Sequence, residues 1–203
     1  MVVGITGKYC AGKSTLVPFL AELGFSEINV DKIGHEVLAH HRSEVIERFG
    51  IGVVLPDGAI DRSRLAGIVF KNAHKRRQLE EILHPAMVRR VQDELGTLQM
   101  AVIHAAILIP MGLHRLCNLV ICVRAPLVLR VLRALRRDRI SLVGIVRRNF
   151  AQRRICPKSV RSEVDTIYVC NRISVLRLKK RVARILARKG LDRVSPWNDK
   201  SYC

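Results

Sequence analysis

A glycine- and lysine-containing run near the amino terminus carries the clearest chemistry in the chain. Gly7-Lys8-Tyr9-Cys10-Ala11-Gly12-Lys13-Ser14-Thr15 satisfies G-x-x-x-x-G-K-[ST] in full. In such a loop the two glycines let successive backbone amides turn inward onto a phosphate, and the following helix adds the positive end of its dipole. Lys13 is placed to bridge the β- and γ-phosphates of a nucleotide, and Ser14 offers a hydroxyl oxygen to Mg²⁺. The context is the one the motif requires: Val2 to Thr6 reads as a β-branched strand, and Leu16 to Leu23 has apolar residues at helical spacing. All the loop residues from Gly7 to Thr15 are therefore expected to bind ATP, with Ser14 also the metal-side ligand. Lys8, Tyr9 and Cys10 occupy positions where many such loops carry small residues. Cys10 reads either as a low-pKa thiol beside the helix start or as a small filler, and the packing habit of cysteine favours the filler.

Phosphoryl transfer also needs a group to receive the proton of the attacking hydroxyl, and cations around the transferring phosphate. Asp31 follows a second short apolar run, Glu27 to Val30, and opens an Ile33, Val37 helical pattern. In a doubly wound sheet that second strand can neighbour the first, which would bring Asp31 to the rim that carries Lys13 and Ser14. Three roles stay open for it: positioning Mg²⁺, accepting the proton, or capping the helix. Among the cations, Arg133, Arg136 and Arg137 are grouped on a helix opened by Pro126. Val128, Val131, Leu132 and Leu135 are expected to form its buried stripe, leaving Arg130, Arg133, Arg136 and Arg137 on other faces. His35 and His84 lie near suggestive sequence, but each by itself reads as a hydrogen-bonded structural histidine.

These residues need a scaffold, and the rest of the chain supplies one. Helices are expected over Arg42 to Phe49, Arg62 to Phe70, Ala73 to Leu83 and Pro85 to Leu98, with Pro85 in a first helical turn. Pro56-Asp57-Gly58 is a turn signal. Met100 to Ile109 and Leu119 to Val123 are continuous apolar runs of the kind found in strands covered on both faces. Thr166 to Cys170 is a last strand, and Val175, Leu178, Val182 and Ile185 mark a closing helix before a tail from Leu191 to Cys203. Strands alternating with helices predict an α/β fold, an open parallel sheet flanked by helices, with its ligand at the carboxyl ends of the strands.

Composition sets the outer limits. The 203 residues are 49% hydrophobic and 26% charged, which excludes a disordered or collagen-like chain. No apolar run reaches the ~18 residues of a membrane span, and no basic, cleavable leader opens the sequence, so a cytoplasmic location without a membrane partner is expected. The six cysteines form no C-x-x-C pair or zinc spacing. With 36 Lys plus Arg against 17 Asp plus Glu, the formal charge is +19. That surplus attracts polyanions without choosing among them. Aromatic residues are 4% of the chain, too few to suggest a stacking platform for nucleic acid.

The residues resemble the dephospho-coenzyme A kinase family over most of the chain, from Val2 to about Leu186. The resemblance rests on Val3-Gly4-Ile5-Thr6-Gly7, Gly12-Lys13-Ser14-Thr15 and Leu23-Gly24-Phe25. It rests also on Val30-Asp31-Lys32-Ile33-Gly34-His35, with Asn29 in place of a first aspartate, and above all on Ile82-Leu83-His84-Pro85. It implies a nucleoside-monophosphate-kinase-like domain over about 1–190, with a helical CoA-binding lobe over about 62–98 and a lid over about 138–162. It further implies that ATP, with Mg²⁺, phosphorylates the ribose 3′-hydroxyl of dephospho-CoA. Asp31 matches the general base, Arg137 the lid arginine, and His84 an acceptor-side residue. Gln152 and Asn171 match later positions, with Asn171 near the adenine. The family's P-L-L-F-E segment stands here as Ala106-Ile107-Leu108-Ile109-Pro110, without its first proline and its glutamate. Two other readings are a different small-metabolite or nucleoside kinase of this architecture, and a catalytically weakened nucleotide-binding protein that binds nucleic acid.

Overall fold

The computed structural model describes residues 1–137, 163–172 and 175–190, the side chain of Arg137 excepted. The chain divides into two compact units, one formed by Met1–Ile28 with the chain from Leu98 onward, the other by Asn29–Thr97.

The first unit is built on a five-stranded sheet of β1 (Val2–Gly7), β2 (Ser26–Asn29), β3 (Ala101–His104), β4 (Leu119–Arg124) and β5 (Thr166–Cys170), in the order β2-β3-β1-β4-β5. The pairs β1–β3, β1–β4 and β4–β5 are parallel. β1 is thus central, and its carboxyl end delivers Gly7 to the middle of the sheet. Helices α1 (Leu16–Glu22) and α7 (Val175–Arg188) cover one face. Phe19, Leu20, Leu178, Val182 and Leu186 pack there with Val3, Ile5, Val102 and Ile121. Fully burying a side chain such as Phe19 contributes roughly 1.5–3 kcal/mol. In α7 the buried positions Leu178, Val182 and Leu186 repeat every fourth residue, while Val175 is 46% exposed.

Three sequence expectations for this unit change. β2 does not adjoin β1, because β3 lies between them. The apolar run Met100 to Ile109 forms a strand only over Ala101–His104; beyond it the chain turns, with Met111 N–H donating to Ile107 O at 3.1 Å and Gly112 N–H to Ile109 O at 2.9 Å. Leu108 and Leu113 are nevertheless fully buried, so the run is apolar because it covers the sheet, not because it extends it. The third change concerns α6 (Leu127–Arg137), whose expected buried stripe faces outward. Val128, Leu132 and Leu135 are 69%, 46% and 48% exposed, whereas Arg130 is 6% and Ala134 0%. Periodicity shows that two faces differ, but the partners offered by the sheet end decide which one turns inward.

The second unit contains α2 (Val30–His40), α3 (Arg42–Phe49), α4 (Arg62–Lys71) and α5 (Ala73–Gly96). Side-chain caps start three of them. Asn29 Oδ1 accepts from Lys32 N–H at 3.1 Å, Asp61 Oδ1 from Ser63 and Arg64 N–H at 3.0 Å each, and Asn72 Oδ1 from His74 N–H at 2.9 Å. Leu38, Val45, Val53, Leu65 and Val69 form the core. Pro56-Asp57-Gly58 turns the chain as expected, with Gly58 at φ +83° and its N–H donating to Leu55 O at 2.9 Å. The helices expected on either side of His84 are one 24-residue helix, with Pro85 inside it. A proline removes one helical hydrogen bond and crowds the preceding turn. Here the long flanking segments and the packing of α5 on α2 and α4 carry the helix through. Among the described residues no helix is long and apolar enough to cross a membrane.

Candidate active site

The site grows from the end of β1. Gly7 takes φ +150°, and a Cβ there would run into Val123 O on the neighbouring β4, so only glycine allows the strand to leave the sheet so closely. The loop then folds on itself, with Ala11 N–H donating to Lys8 O at 3.0 Å. Cys10 adopts φ +56° and Gly12 φ +98°. A left-handed Cys10 is a strained choice for a residue with a Cβ, and such strain is characteristic of ligand-binding loops. Lys13 to Thr15 form a tight 3-10 turn, and the α-helix begins only at Leu16. Pro18 lies in that first turn, where its missing N–H costs no helical bond.

Lys13 Nζ lies over the loop it belongs to, donating to Gly7 O at 2.8 Å and to Lys8 O at 3.4 Å. Ser14 beside it is exposed, its oxygen open to a hard cation. Behind the loop stands Asn171, just past β5 and 4% exposed. Its backbone N–H donates to Arg124 O at 2.7 Å and its side-chain Nδ2 to Ala11 O at 3.1 Å. Arg133 Nη2 in turn donates to Asn171 O and Oδ1, 3.3 Å each. The other guanidinium nitrogen, Arg133 Nη1, is buried with no hydrogen-bond partner. A buried cationic donor left open beside a phosphate loop fits an anionic ligand such as the polyphosphate of ATP. Asn171, expected near the adenine, is thus bonded to the backbone of the loop.

In the second unit, Asp31 is the second residue of α2. The cap of that helix is Asn29, so capping does not occupy the Asp31 carboxylate, which is exposed. His84 lies mid-way along α5. Burial lowers its pKa, with Glu80 one turn away pulling the other way, so the ring favours its neutral form. Arg137 ends α6, and its side chain lies outside the described residues, as do Gln152 and the 138–162 segment expected as a lid.

Sequence reasoning placed Arg130 off the buried stripe together with Arg133, Arg136 and Arg137, and grouped the last three as candidate cations, whereas Arg130 is in fact 6% exposed. A helix wheel centred on the leucines puts Arg130 and Arg133 on the wrong side. A signal was available in the spacing of Arg130, Arg133 and Arg137, which share one face.

A family model described as dephospho-CoA kinase matches residues 1–171. The chain belongs to the dephospho-CoA kinase family. A dephospho-CoA kinase of Moorella thermoacetica is 36% identical over 160 residues, covering 74% of this chain and 76% of that one. One from Treponema pallidum is 29% identical over 202 residues, covering 94% and 96%. Among solved structures, TT1252 from Thermus thermophilus superposes with a TM-score of 0.78 at 25% identity, covering 93% of this chain and 97% of that one. Deoxyadenosine kinase from M. mycoides, at a TM-score of 0.59 and 12% identity, shares the fold, over 92% of this chain and 100% of its own. Membership agrees with the phosphate loop on β1 and with the five-stranded sheet that holds it. This kinase family uses ATP as its phosphate donor.

Proposed function

We propose that this dephospho-CoA kinase transfers the γ-phosphate of ATP to the ribose 3′-hydroxyl of dephospho-CoA, with Asp31 as general base and the Gly7–Thr15 loop as the ATP phosphate site. The single observation that carries the reading is the loop itself, shaped by Gly7 and Gly12 and backed by Asn171, in a chain of this family.

The roles follow from charge and proton bookkeeping. The acceptor oxygen gives its proton to the Asp31 carboxylate as it forms a bond to the γ-phosphorus, and the bond from that phosphorus to the β,γ-bridging oxygen breaks, releasing ADP. Charge spreading over the phosphoryl oxygens is met by Lys13 and by backbone amides of the Gly7–Thr15 loop other than those of Ala11 and Thr15, which donate to Lys8 O and Gly12 O. Arg133, through its open Nη1, and Arg137 add cations from α6. Mg²⁺ is assigned to the Ser14 hydroxyl together with the phosphates. Such an ion arrives with its nucleotide and keeps few protein ligands. His84 is assigned to the acceptor, and α4 and α5 to the CoA-binding lobe. The same reading puts the enzyme in the cytoplasm.

The test is ADP release by the purified chain with ATP and Mg²⁺, with and without dephospho-CoA, the product weighed by mass spectrometry. Dephospho-CoA-dependent ADP release with formation of CoA is expected. ATP turnover equally fast with adenosine or shikimate as acceptor would reject the assigned substrate.

A further inference from the structure

α6 is turned against its own hydrophobicity. Leu127, Val128, Leu132 and Leu135 are between 46% and 69% exposed, while Arg130 on the opposite face is 6% exposed. Burying leucines and leaving arginines in water is the favourable orientation for an isolated amphipathic helix. The reversal therefore has a cause at the surface α6 covers. That surface is the phosphate loop and the strand ends around it: Arg133, three residues on, reaches Asn171, and Asn171 reaches Ala11. Arg130 shares this face with Arg133 and Ala134, the latter fully buried.

We propose that Arg130 is a further polyphosphate-binding residue of the ATP site, a cation that α6 turns inward on the face that carries Arg133 to meet the phosphates held by the loop. The proposal rests on the assignment of the loop to ATP and adds a residue to it. Sites where a sequence breaks a local rule are where function is expected. Burial holds the Arg130 guanidinium below the usual arginine range, with Cys10 offsetting part of that effect, so a bound polyanion would strengthen its charged form. A planar guanidinium suits two phosphate oxygens at once.

The experiment uses the full chain, with calorimetric binding of ATP, ADP and inorganic tripolyphosphate measured without acceptor. Arg130→Gln should weaken ATP and tripolyphosphate by about 10-fold or more, the size of a lost charge-assisted contact. Arg130→Lys should recover most of that loss. Neither variant should alter the KM for dephospho-CoA. Arg130→Met, suited to a buried helix face, is run in parallel to guard against misfolding. Unchanged ATP and tripolyphosphate affinity in a folded Gln or Met variant overturns the proposal. So does failure of both variants to fold, since Arg130 would then be structural. A parent that binds ATP through Arg130 but forms no CoA would defeat the substrate assignment and leave this one standing.

Discussion

Asn171 Nδ2 donates to Ala11 O at 3.1 Å, tying the residue after β5 to the backbone of the phosphate loop. Its own carbonyl and side-chain oxygens receive Arg133, so one buried asparagine joins β5, α6 and the loop that follows β1. Each of these contacts is fully formed within the first unit. The loop is therefore braced by tertiary hydrogen bonds as well as by its glycines.

Replacing Asn171 with Ala tests that brace. The substitution leaves Ala11 O without its donor and Arg133 without its side-chain acceptor. We expect a stability loss of about 1–3 kcal/mol in chemical denaturation, and a rise of roughly fivefold or more in the KM for ATP with kcat less affected. An ATP affinity equal to the parent would show that the loop keeps its shape without Asn171.

Gly12 sits against the same side chain. At φ +98°, a Cβ on residue 12 would overlap Asn171 Nδ2. Gly12→Ala should abolish measurable ATP binding in a protein that still folds. Adding Asn171→Ala removes the overlap but not the backbone strain, so partial recovery is expected, a non-additive pair. A double variant no better than Gly12→Ala alone would trace the defect to the backbone.

Asp31 and Lys13 should separate by what they disturb. Asp31→Asn is expected to lower kcat by ~10² or more while the ATP dissociation constant stays the same, the signature of a lost general base. Lys13→Ala should instead weaken ATP binding. Full turnover in Asp31→Asn would remove Asp31 from the proton transfer.

His84 gives stability a pH dependence of defined sign. Its pKa in the folded chain lies below the ordinary 6.5, chiefly through burial and against the pull of Glu80. On acidification the unfolded chain takes up the proton first, so stability from this group is present above pH 6.5 and is lost as pH falls from there through the folded value. Melting temperatures measured from pH 7.5 down to about 5 should fall less steeply in His84→Gln than in the parent. Parallel curves would mean that His84 does not contribute.

Where torsions and short spacings decide, local sequence is enough. The phosphate loop is legible in Gly7, Gly12, Lys13 and Ser14, the turn in Pro56-Asp57-Gly58, and both α3 and β5 coincide with the segments their apolar patterns mark out. Local rules suffice there because each glycine or periodic run constrains its own backbone. Tertiary structure alone decided that β3 enters between β2 and β1, that α5 runs on through Pro85, and that Met100 to Ile109 stops pairing after His104. Above all it decided that α6 turns Arg130 inward and its leucines outward. A helical pattern fixes which residues share a face. Which face is buried depends on the free energy of the surface it meets, here a phosphate loop and Asn171 from distant parts of the chain, and no local pattern contains that surface.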